Sequence, residues 1–301
     1  MKLFVSKVFS FIAPILILGL FFEIILRSIP NDYVEKNKEI RTNSDSIRTL
    51  ILGSSHAFRG INPNYLNENA YNLAGVSQSL DIDFKLFKKY RGSLPSLKNL
   101  IVPISYFTFY NQLKDSEESW RMKDYKIYYD LDVELEFNQR FEILSNDLKI
   151  NLIRIFRYFM GTSTLSSNSK GFGPFPLKHK PNINWEEDGK LASNRHTLRD
   201  SSHMIEHLNY LDKIIQYCSH RDIKVLLISI PVYQSYLDNL ELNQYEATIS
   251  MADSIANNHT NSTYINKFDD KRFTREHFYN SDHLNLEGAQ IFSLMIKNHL
   301  Q

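Results

Sequence analysis

The chain has 301 residues, enough for one large domain or two modest ones, and its 43% of hydrophobic residues can fill a substantial core. Its 35 Lys and Arg residues almost balance its 34 Asp and Glu residues, so the overall charge gives no sign of nucleic acid or another polyanion as a partner. The single cysteine, Cys218, excludes an intramolecular disulfide and a zinc site of the usual cysteine type.

The N-terminal 30 residues differ from the rest of the chain. Residues 8–26, VFSFIAPILILGLFFEIIL, carry a single charge, at Glu23, and approach the roughly 20 residues that a membrane-spanning helix needs. No A-x-A-like cleavage site follows, so residues 1–30 are predicted to be an uncleaved transmembrane anchor. Lys2 and Lys7 favour a cytoplasmic N-terminus, which places the remaining chain on the extracytoplasmic side of a single-pass membrane protein. The alternative is an amphipathic or core helix, which Glu23 and Pro14 would suit.

After a polar stretch at 31–47, which we interpret as a linker, strand-like and helix-like patterns alternate. The strand-like runs are 48–52, 70–75, 97–105, 223–231 and 263–270. Helical spacing of apolar residues occurs at 80–90, 203–221 and 287–300. Strands separated by helices predict a parallel sheet, so residues 48–301 are predicted to form one α/β domain.

Residues from about 110 to 200 fit this alternation poorly. They are rich in aromatic and charged residues and contain the helix-like segment FNQRFEILSNDLKINLIRIFRYFM, followed by the Gly, Pro and Ser-rich run GTSTLSSNSKGFGPFP. We therefore predict an insertion that covers or shapes a cleft of the α/β domain.

The segment TLILGSSH, residues 49–56, runs from an apolar strand directly into a turn that carries two hydroxyls and an imidazole. A serine at this position can be held exposed beside backbone amides, as nucleophilic catalysis requires. His56, next to the serine, is predicted to have a supporting or packing role, since adjacent strand residues point to opposite faces.

Serine is inert at neutral pH without a base, and the best candidate is His283, immediately before the last helix. A loop between the last strand and this helix lies at the same sheet edge as the end of the first strand, so His283 and Ser55 could meet. Asn280 and Asp282 are both near enough in sequence to orient the imidazole. Either residue could orient the imidazole, or Ser55 and His283 could work as a dyad without an orienting residue.

These segments resemble the SGNH hydrolases, also called the GDSL family. Gly53-Ser54-Ser55 is similar to the family's first block with Ser54 in place of Asp, which selects Ser55 as the nucleophile. NLAGVSQSL is similar to the second block, and the resemblance implies that the Gly75 amide is an oxyanion donor. The third block, G-x-N-D, is absent, and Ser105 occupies roughly the place of its Asn, so the resemblance makes Ser105 the second candidate for the oxyanion site. The last block, D-x-x-H, has Asn280 where the family has Asp.

The resemblance covers roughly residues 48–105 and 203–300, and it implies a flavodoxin-like three-layer sandwich around a parallel sheet. Together with the predicted anchor, the motifs GSSH, NLAGVSQ and DHLNLEGA are most similar to membrane-anchored SGNH proteins of bacterial envelope polymer modification. This branch implies a serine acyltransferase or esterase that adds or removes acyl groups on a cell-surface polysaccharide, without a metal or other cofactor. Its implied partners are the glycan, membrane lipid and a membrane-bound O-acyltransferase. The alternative is an inactive SGNH domain that binds the glycan or that acyltransferase.

Overall fold

The computed structural model describes residues 1–66, 69–198 and 200–300, with residues 2 and 3 described by their backbone only. The described residues form a five-stranded parallel sheet in the order β2-β1-β3-β4-β5. The strands are β1 (Thr49–Ile51), β2 (Ala70–Asn72), β3 (Asn99–Pro103), β4 (Lys224–Ile228) and β5 (Ser262–Ile265). This strand order is that of the flavodoxin-like fold, so the predicted fold class is confirmed.

The α-helices lie before, between and after these strands. In chain order they are α1 (Lys2–Ser28), α2 (Asp32–Thr42), α3 (Ser55–Gly60), α4 (Leu80–Tyr90), α5 (Met122–Tyr129), α6 (Leu148–Phe159), α7 (Trp185–His196), α8 (Met204–Ser219), α9 (Gln234–Leu237), α10 (Leu242–Asn257) and α11 (Leu286–Lys297). The strands and helices predicted from apolar spacing are all present. All five strands are shorter than the predicted runs, and six helices were not predicted: α2, α3, α5, α7, α9 and α10.

The connections explain how the helices form layers. The chain moves one way from β1 to β2 and the other way from β2 through β3, β4 and β5. Right-handed crossovers therefore put α3 on the face opposite α4, α8 and α10. In agreement, α4 packs against α8, while α3 packs against α11. The apolar residues between α3, α11 and the sheet, including Phe58, Phe278 and Phe292, form a buried core.

The strand order reverses at β1 and β3, and the carboxyl ends of these two strands define the crevice where open α/β sheets bind ligands. Ser55 follows β1 and Ser105 follows β3. The sheet therefore places both residues at the same edge.

The described chain divides into two compact units. One contains Lys38–Glu118 and Ser167–Gln301, with the whole sheet. The other contains Met1–Asn37 and Ser119–Ser166, so only residues 119–166 of the predicted insertion at about 110–200 belong to it. The rest of the insertion, which includes α7, belongs to the unit with the sheet.

In the smaller unit, α1 has a 25-residue stretch, Phe4–Ser28, with a mean hydropathy of 2.5 and only 6% of its most apolar window buried. By length and composition this helix can cross a membrane, and a core helix would be mostly buried.

The segment predicted as a linker contains helix α2. Asn31 Oδ1 accepts the amide protons of Tyr33 and Val34, and the first turn is acidic while Arg41 lies in the last turn. The cap and the charges both stabilise a helix here. Ile40 is fully buried, and its burial anchors the helix. The segment is polar and has no apolar periodicity, so this helix could not be predicted from the sequence pattern.

Candidate active site

The backbone between β1 and α3 makes a sharp turn at Gly53, whose φ is +112°. A Cβ at this position would lie 3.2 Å from Ala57 Cβ and from Pro103 Cδ, so both conformation and space require glycine. Ser54 then caps α3, since its hydroxyl accepts the His56 amide proton. Ser55 begins the helix, partly exposed at the end of a buried strand.

The hydroxyl of Ser55 lies 2.9 Å from Nε2 of His283 although 228 residues separate the two in sequence. On the other side of the imidazole, His283 Nδ1 lies 2.9 Å from Asp282 Oδ1 and 3.1 Å from Asn280 Oδ1. Both oxygens can only accept, so Nδ1 carries the proton and Nε2 is left to accept the Ser55 hydroxyl proton. This is the hydrogen-bond pattern of a nucleophile, a general base and an orienting group.

The loop that holds these residues is closed by its own backbone. The Tyr279 amide donates to the His283 carbonyl, and Phe278 and Leu284 form an antiparallel bridge. Asn285 then caps α11 by accepting the Gly288 amide proton. The predicted residues Ser55, Asn280, Asp282 and His283 are thus brought together, and both candidate orienting residues contact the imidazole.

Asp282 is completely buried among cationic and imidazole groups. Burial alone would raise the pKa of its carboxyl, but the interactions with His283 and His56 outweigh burial and hold this pKa well below its usual range. Its second oxygen, Oδ2, lies 3.6 Å from His56 Nε2 and 3.7 Å from the Arg195 guanidinium. Asp282 is therefore an anion that can stabilise an imidazolium at His283, which Asn280 cannot do.

His56 lies beside both Asp282 and the catalytic imidazole of His283. Its Nδ1 is 3.0 Å from the Ser105 hydroxyl, and its ring meets that of His283 edge to face at 5.0 Å between centroids. Burial lowers the pKa of His56, so this imidazole is neutral. With Ser105 donating to Nδ1, the remaining proton sits on Nε2 and faces Asp282.

His56 was predicted to have a supporting or packing role, and it contacts Ser105 and Asp282. The argument for that prediction, that adjacent strand residues point to opposite faces, does not hold. Ser55 and His56 lie in the first turn of α3 and not in a strand. Consecutive helical side chains diverge by about 100°, so both can reach the same loop from different sides.

Two groups expected to bind an oxyanion have other partners in this structure. The Gly75 amide donates to the Gly53 carbonyl at 3.0 Å, which extends the β1–β2 ladder. The Ser105 amide donates to Thr108 Oγ1, while its hydroxyl is paired with His56. As the first amide of α3, the Ser55 N–H has no acceptor within the described part of the chain, so it is the donor best placed for an oxyanion.

Aromatic side chains form one wall beside the imidazole. The rings of Phe175 and Tyr279 are stacked at 4.0 Å, and Phe175 meets the His283 ring edge to face. Arg59 lies over Phe175 at 4.3 Å and donates to the Gly173 carbonyl. Phe175 comes from the Gly-Phe-Gly-Pro-Phe run at 171–175, so this run contributes to the wall of the site.

Sequence reasoning missed two residues of α7. Arg195, whose side chain is 59% exposed, approaches Asp282 as described above. His196 Nδ1 lies 2.8 Å from the Tyr236 hydroxyl, and burial lowers the pKa of His196 to about 3, so it stays neutral. Asn184 before an acidic first turn was the available signal for α7, but nothing in the sequence indicates where this helix packs.

His56, Asp282 and His283 place possible metal-ligand atoms within 4.8 Å of one another. Their hydrogen-bond geometry already suits acid–base chemistry, since His283 Nδ1 is directed at Asp282 Oδ1. A metal ion bound through His283 Nδ1 or Asp282 Oδ1 would have to displace that hydrogen bond.

Next to the turn at Gly53, Asp83 Oδ1 accepts hydrogen bonds from the Gly53 amide at 2.8 Å and from the Gln78 side chain at 2.5 Å. Burial is the main cause that raises the pKa of this carboxyl, to about 7. The folded protein therefore holds a proton on Asp83 at pH values where the unfolded chain, with an ordinary pKa of about 4, does not.

Asp83→Asn is therefore expected to flatten the pH dependence of stability. The contribution of protonated Asp83 is complete below about pH 4 and is lost as the pH rises through about 7. Asn keeps the acceptor but cannot ionise, so from pH 4 to pH 8 the variant should gain about 4 kcal/mol of stability relative to wild type, at ~1.4 kcal/mol per pKa unit. Urea unfolding of both full-length proteins in the same detergent measures this difference. A difference that stays constant with pH would contradict it.

No protein-family model matches the chain, and no curated protein matches it. Among solved structures, a candidate platelet activating factor from Streptococcus pneumoniae is similar at a TM-score of 0.46 and 10% identity, covering 97% of this chain and 99% of that chain. A candidate acylhydrolase from Bacteroides fragilis is similar at 0.44 and 10%, covering 89% and 93%. A GDSL-like lipase from Bacteroides thetaiotaomicron is similar at 0.41 and 9%, covering 89% and 98%.

With these TM-scores and identities, the fold class rests on the observed strand order and the site on its own distances. The protein is an α/β protein with a flavodoxin-like parallel sheet. A Ser–His–Asp hydrogen-bonded array lies at the β1/β3 edge of this sheet. The resemblance to the SGNH or GDSL hydrolases implies such a sheet and a Ser–His pair at this edge, whereas the carboxylate comes from Asp282 and not from position 280.

Proposed function

We propose that the protein is a membrane-anchored serine acyltransferase or esterase that adds or removes acyl groups on a cell-envelope polysaccharide. The observation that carries the proposal is the contact of 2.9 Å between Ser55 Oγ and His283 Nε2, with Asp282 on the far side of the same imidazole. A serine paired in this way is an activated nucleophile, and acyl transfer is its usual chemistry.

In the first half-reaction, Ser55 Oγ attacks the carbonyl carbon of the acyl donor while His283 Nε2 takes the hydroxyl proton. The negative charge that develops on the carbonyl oxygen is met by the Ser55 amide. The carbon–oxygen bond to the donor alcohol breaks, His283 returns its proton to that alcohol, and the acyl group remains on Ser55. Asp282 stabilises the imidazolium during these steps.

In the second half-reaction, His283 Nε2 takes a proton from an acceptor hydroxyl, which attacks the acyl-serine carbonyl. Collapse of this intermediate breaks the ester to Ser55 and returns the proton to its hydroxyl. A sugar hydroxyl as acceptor gives transfer, and water gives hydrolysis. The stacked Phe175–Tyr279 pair is half-exposed beside His283 and offers an apolar face to a sugar ring.

Helix α1 supports the membrane location, since it is long, apolar and mostly uncovered by protein. With Lys2 and Lys7 at its N-terminal end, the catalytic unit is proposed to lie on the extracytoplasmic side. A membrane-bound O-acyltransferase is the proposed partner that supplies the acyl group.

Labelling with a fluorophosphonate tests the proposal, because this probe forms a covalent adduct only with an activated serine. We expect one adduct per chain, mapped by mass spectrometry to the peptide that contains Ser55. The protein is then assayed with an acetyl ester, with and without an oligosaccharide acceptor. Acylated sugar as the product indicates transfer, and free acid indicates hydrolysis. A folded protein that takes up no label would contradict the catalytic proposal and favour the alternative, a binding module for glycan or acyltransferase.

A further inference from the structure

Helix α6, in the smaller unit, has its polar and apolar faces reversed relative to a helix of a soluble domain. Asn151 is buried, and its side-chain amide donates to the Ile143 carbonyl. Arg154 pairs with Glu142, which is also fully buried, at 2.7 Å. The side of α6 that faces the protein is therefore polar.

The opposite side of α6, called here the apolar face, is uncovered. Its side chains are between 46% and 70% exposed: Leu148, Leu152, Phe156 and Phe159. At helical spacing these four residues form one continuous stripe. A stripe of large apolar residues turned away from the protein needs an apolar environment to cover it.

The position of α6 along α1 indicates what that environment is. Residues 4–21 of α1 are almost entirely exposed, and cover by the protein begins at Glu23. These 18 residues of helix span about 27 Å, close to the ~30 Å of a hydrocarbon core. The end of the hydrocarbon region therefore falls near Glu23.

The chain that leads into α6 is fixed at this level. The Glu23 carboxylate accepts amide protons from Glu142 and Ile143, at 3.1 and 2.9 Å, and Arg27 donates to the Arg140 carbonyl. Helix α6 begins five residues after Ile143 and packs against α1. Its apolar face is therefore held where a bilayer would meet its headgroups.

The charges on α6 fit the same surface. Of its 12 residues, Lys149, Arg154 and Arg157 are cationic and none is acidic. Lys149 and Arg157 are exposed, whereas Arg154 is paired within the protein. Exposed cations beside an apolar stripe are typical of interfacial helices that bind anionic lipid.

We propose that α6 is a second membrane-binding element, an interfacial helix whose apolar face inserts into the lipid surface next to the anchor. The inference rests on the proposed membrane anchoring by α1. Two contacts with the bilayer restrict the tilt and rotation of the smaller unit more than a single spanning helix can. The smaller unit then lies against the bilayer as a platform, and not on a free tether.

Site-directed spin labelling of the full-length protein in vesicles with 30% anionic lipid tests this proposal. A nitroxide is attached to Leu152→Cys or Phe156→Cys, with Leu16→Cys as the reporter of the anchor and Leu242→Cys as the aqueous control. Leu16 and Leu242 are matched in exposure, at 66% and 62%, and the native Cys218 is fully buried. Accessibility to oxygen, which concentrates in lipid, is compared with that to a water-soluble nickel complex.

We expect the oxygen-to-nickel ratio at 152 and 156 to approach that at 16 and to exceed that at 242 by about fivefold or more, since the apolar face of an interfacial helix lies ~5–10 Å below the headgroups. A lipid-like ratio at 16 with water-like ratios at 152 and 156 would overturn the inference while the anchor stands. A water-like ratio at 16 would overturn the anchor and the inference together. Protection from both reagents, with dipolar broadening between labels, would show a second copy on the apolar face and also overturn it. Fluorophosphonate labelling of the same samples reports on the catalytic proposal separately.

Discussion

Ser55→Ala is expected to lower kcat for an acetyl ester by about five to six orders of magnitude, because removal of the nucleophile from an array of this kind abolishes the covalent route. The residual rate would come from binding and from the Ser55-position amide, which the substitution keeps. Alanine removes only one oxygen from a partly exposed side chain, so the fold should be unaffected. The measurement is single-turnover and steady-state hydrolysis by the full-length protein in detergent.

Ser54→Ala is the matched control for this experiment, since the two serines are adjacent. The Ser54 hydroxyl caps α3 through a long contact of 3.4 Å with the His56 amide and does not touch His283. Its loss should cost about 1 kcal/mol of stability and leave kcat within about tenfold of wild type. Equal losses of kcat in the two variants would show that both substitutions disturb the turn between β1 and α3. The loss in Ser55→Ala could then not be attributed to the missing hydroxyl.

Asp282→Asn is expected to lower kcat by about 10⁴, the loss found when the acid of such an array becomes an amide. Asp282 lies between two imidazoles, with Oδ1 toward His283 and Oδ2 toward His56. An amide has one oxygen and one NH₂ group, so it must turn its NH₂ toward one ring and reverse that tautomer. It also removes the negative charge that stabilises the imidazolium. Circular dichroism and thermal unfolding check that the variant remains folded.

Asn280→Ala is the companion variant, since Asn280 Oδ1 contacts the same imidazole nitrogen at 3.1 Å. If Asp282 orients His283, the loss of Asn280 should reduce kcat by less than about tenfold, the typical cost of one neutral hydrogen bond being ~1 kcal/mol. The opposite ranking, with Asn280→Ala the more damaging variant, would assign the orienting role to Asn280 and make Asp282 structural.

Much of the fold could be predicted because the elements of the sheet have local signatures. Apolar runs such as 223–231 are too short for helices and are bounded by polar residues, and helices α4, α8 and α11 have apolar residues at three- and four-residue spacing. Such periodicity is set by which side chains must be buried, so it survives in the sequence. Helix α2 lacked this signal, since its stability depends on the Asn31 cap, its end charges and one buried apolar residue, Ile40.

The site could be predicted in part for a related reason. Ser55 and His283 lie in loops at the carboxyl ends of parallel strands, and the topology alone brings such loops to one edge. The choice between Asn280 and Asp282 depends on side-chain geometry within a five-residue loop, which sequence spacing leaves open. The partners of the Gly75 amide and the Ser105 hydroxyl were equally undetermined, because both contacts join segments that are distant in the chain.

By itself, then, the sequence determined the parallel α/β class, the apolar N-terminal helix and the two segments that meet at the sheet edge. Each of these depends on local composition, on periodicity, or on rules of strand connection that hold for any such chain. Only the tertiary structure decided that His56 and Arg195 flank the Asp282 carboxylate, and that α6 turns its apolar residues away from the protein. Those features depend on which surfaces of distant elements pack together, and the burial and pKa of a side chain follow from that packing and not from its neighbours in sequence.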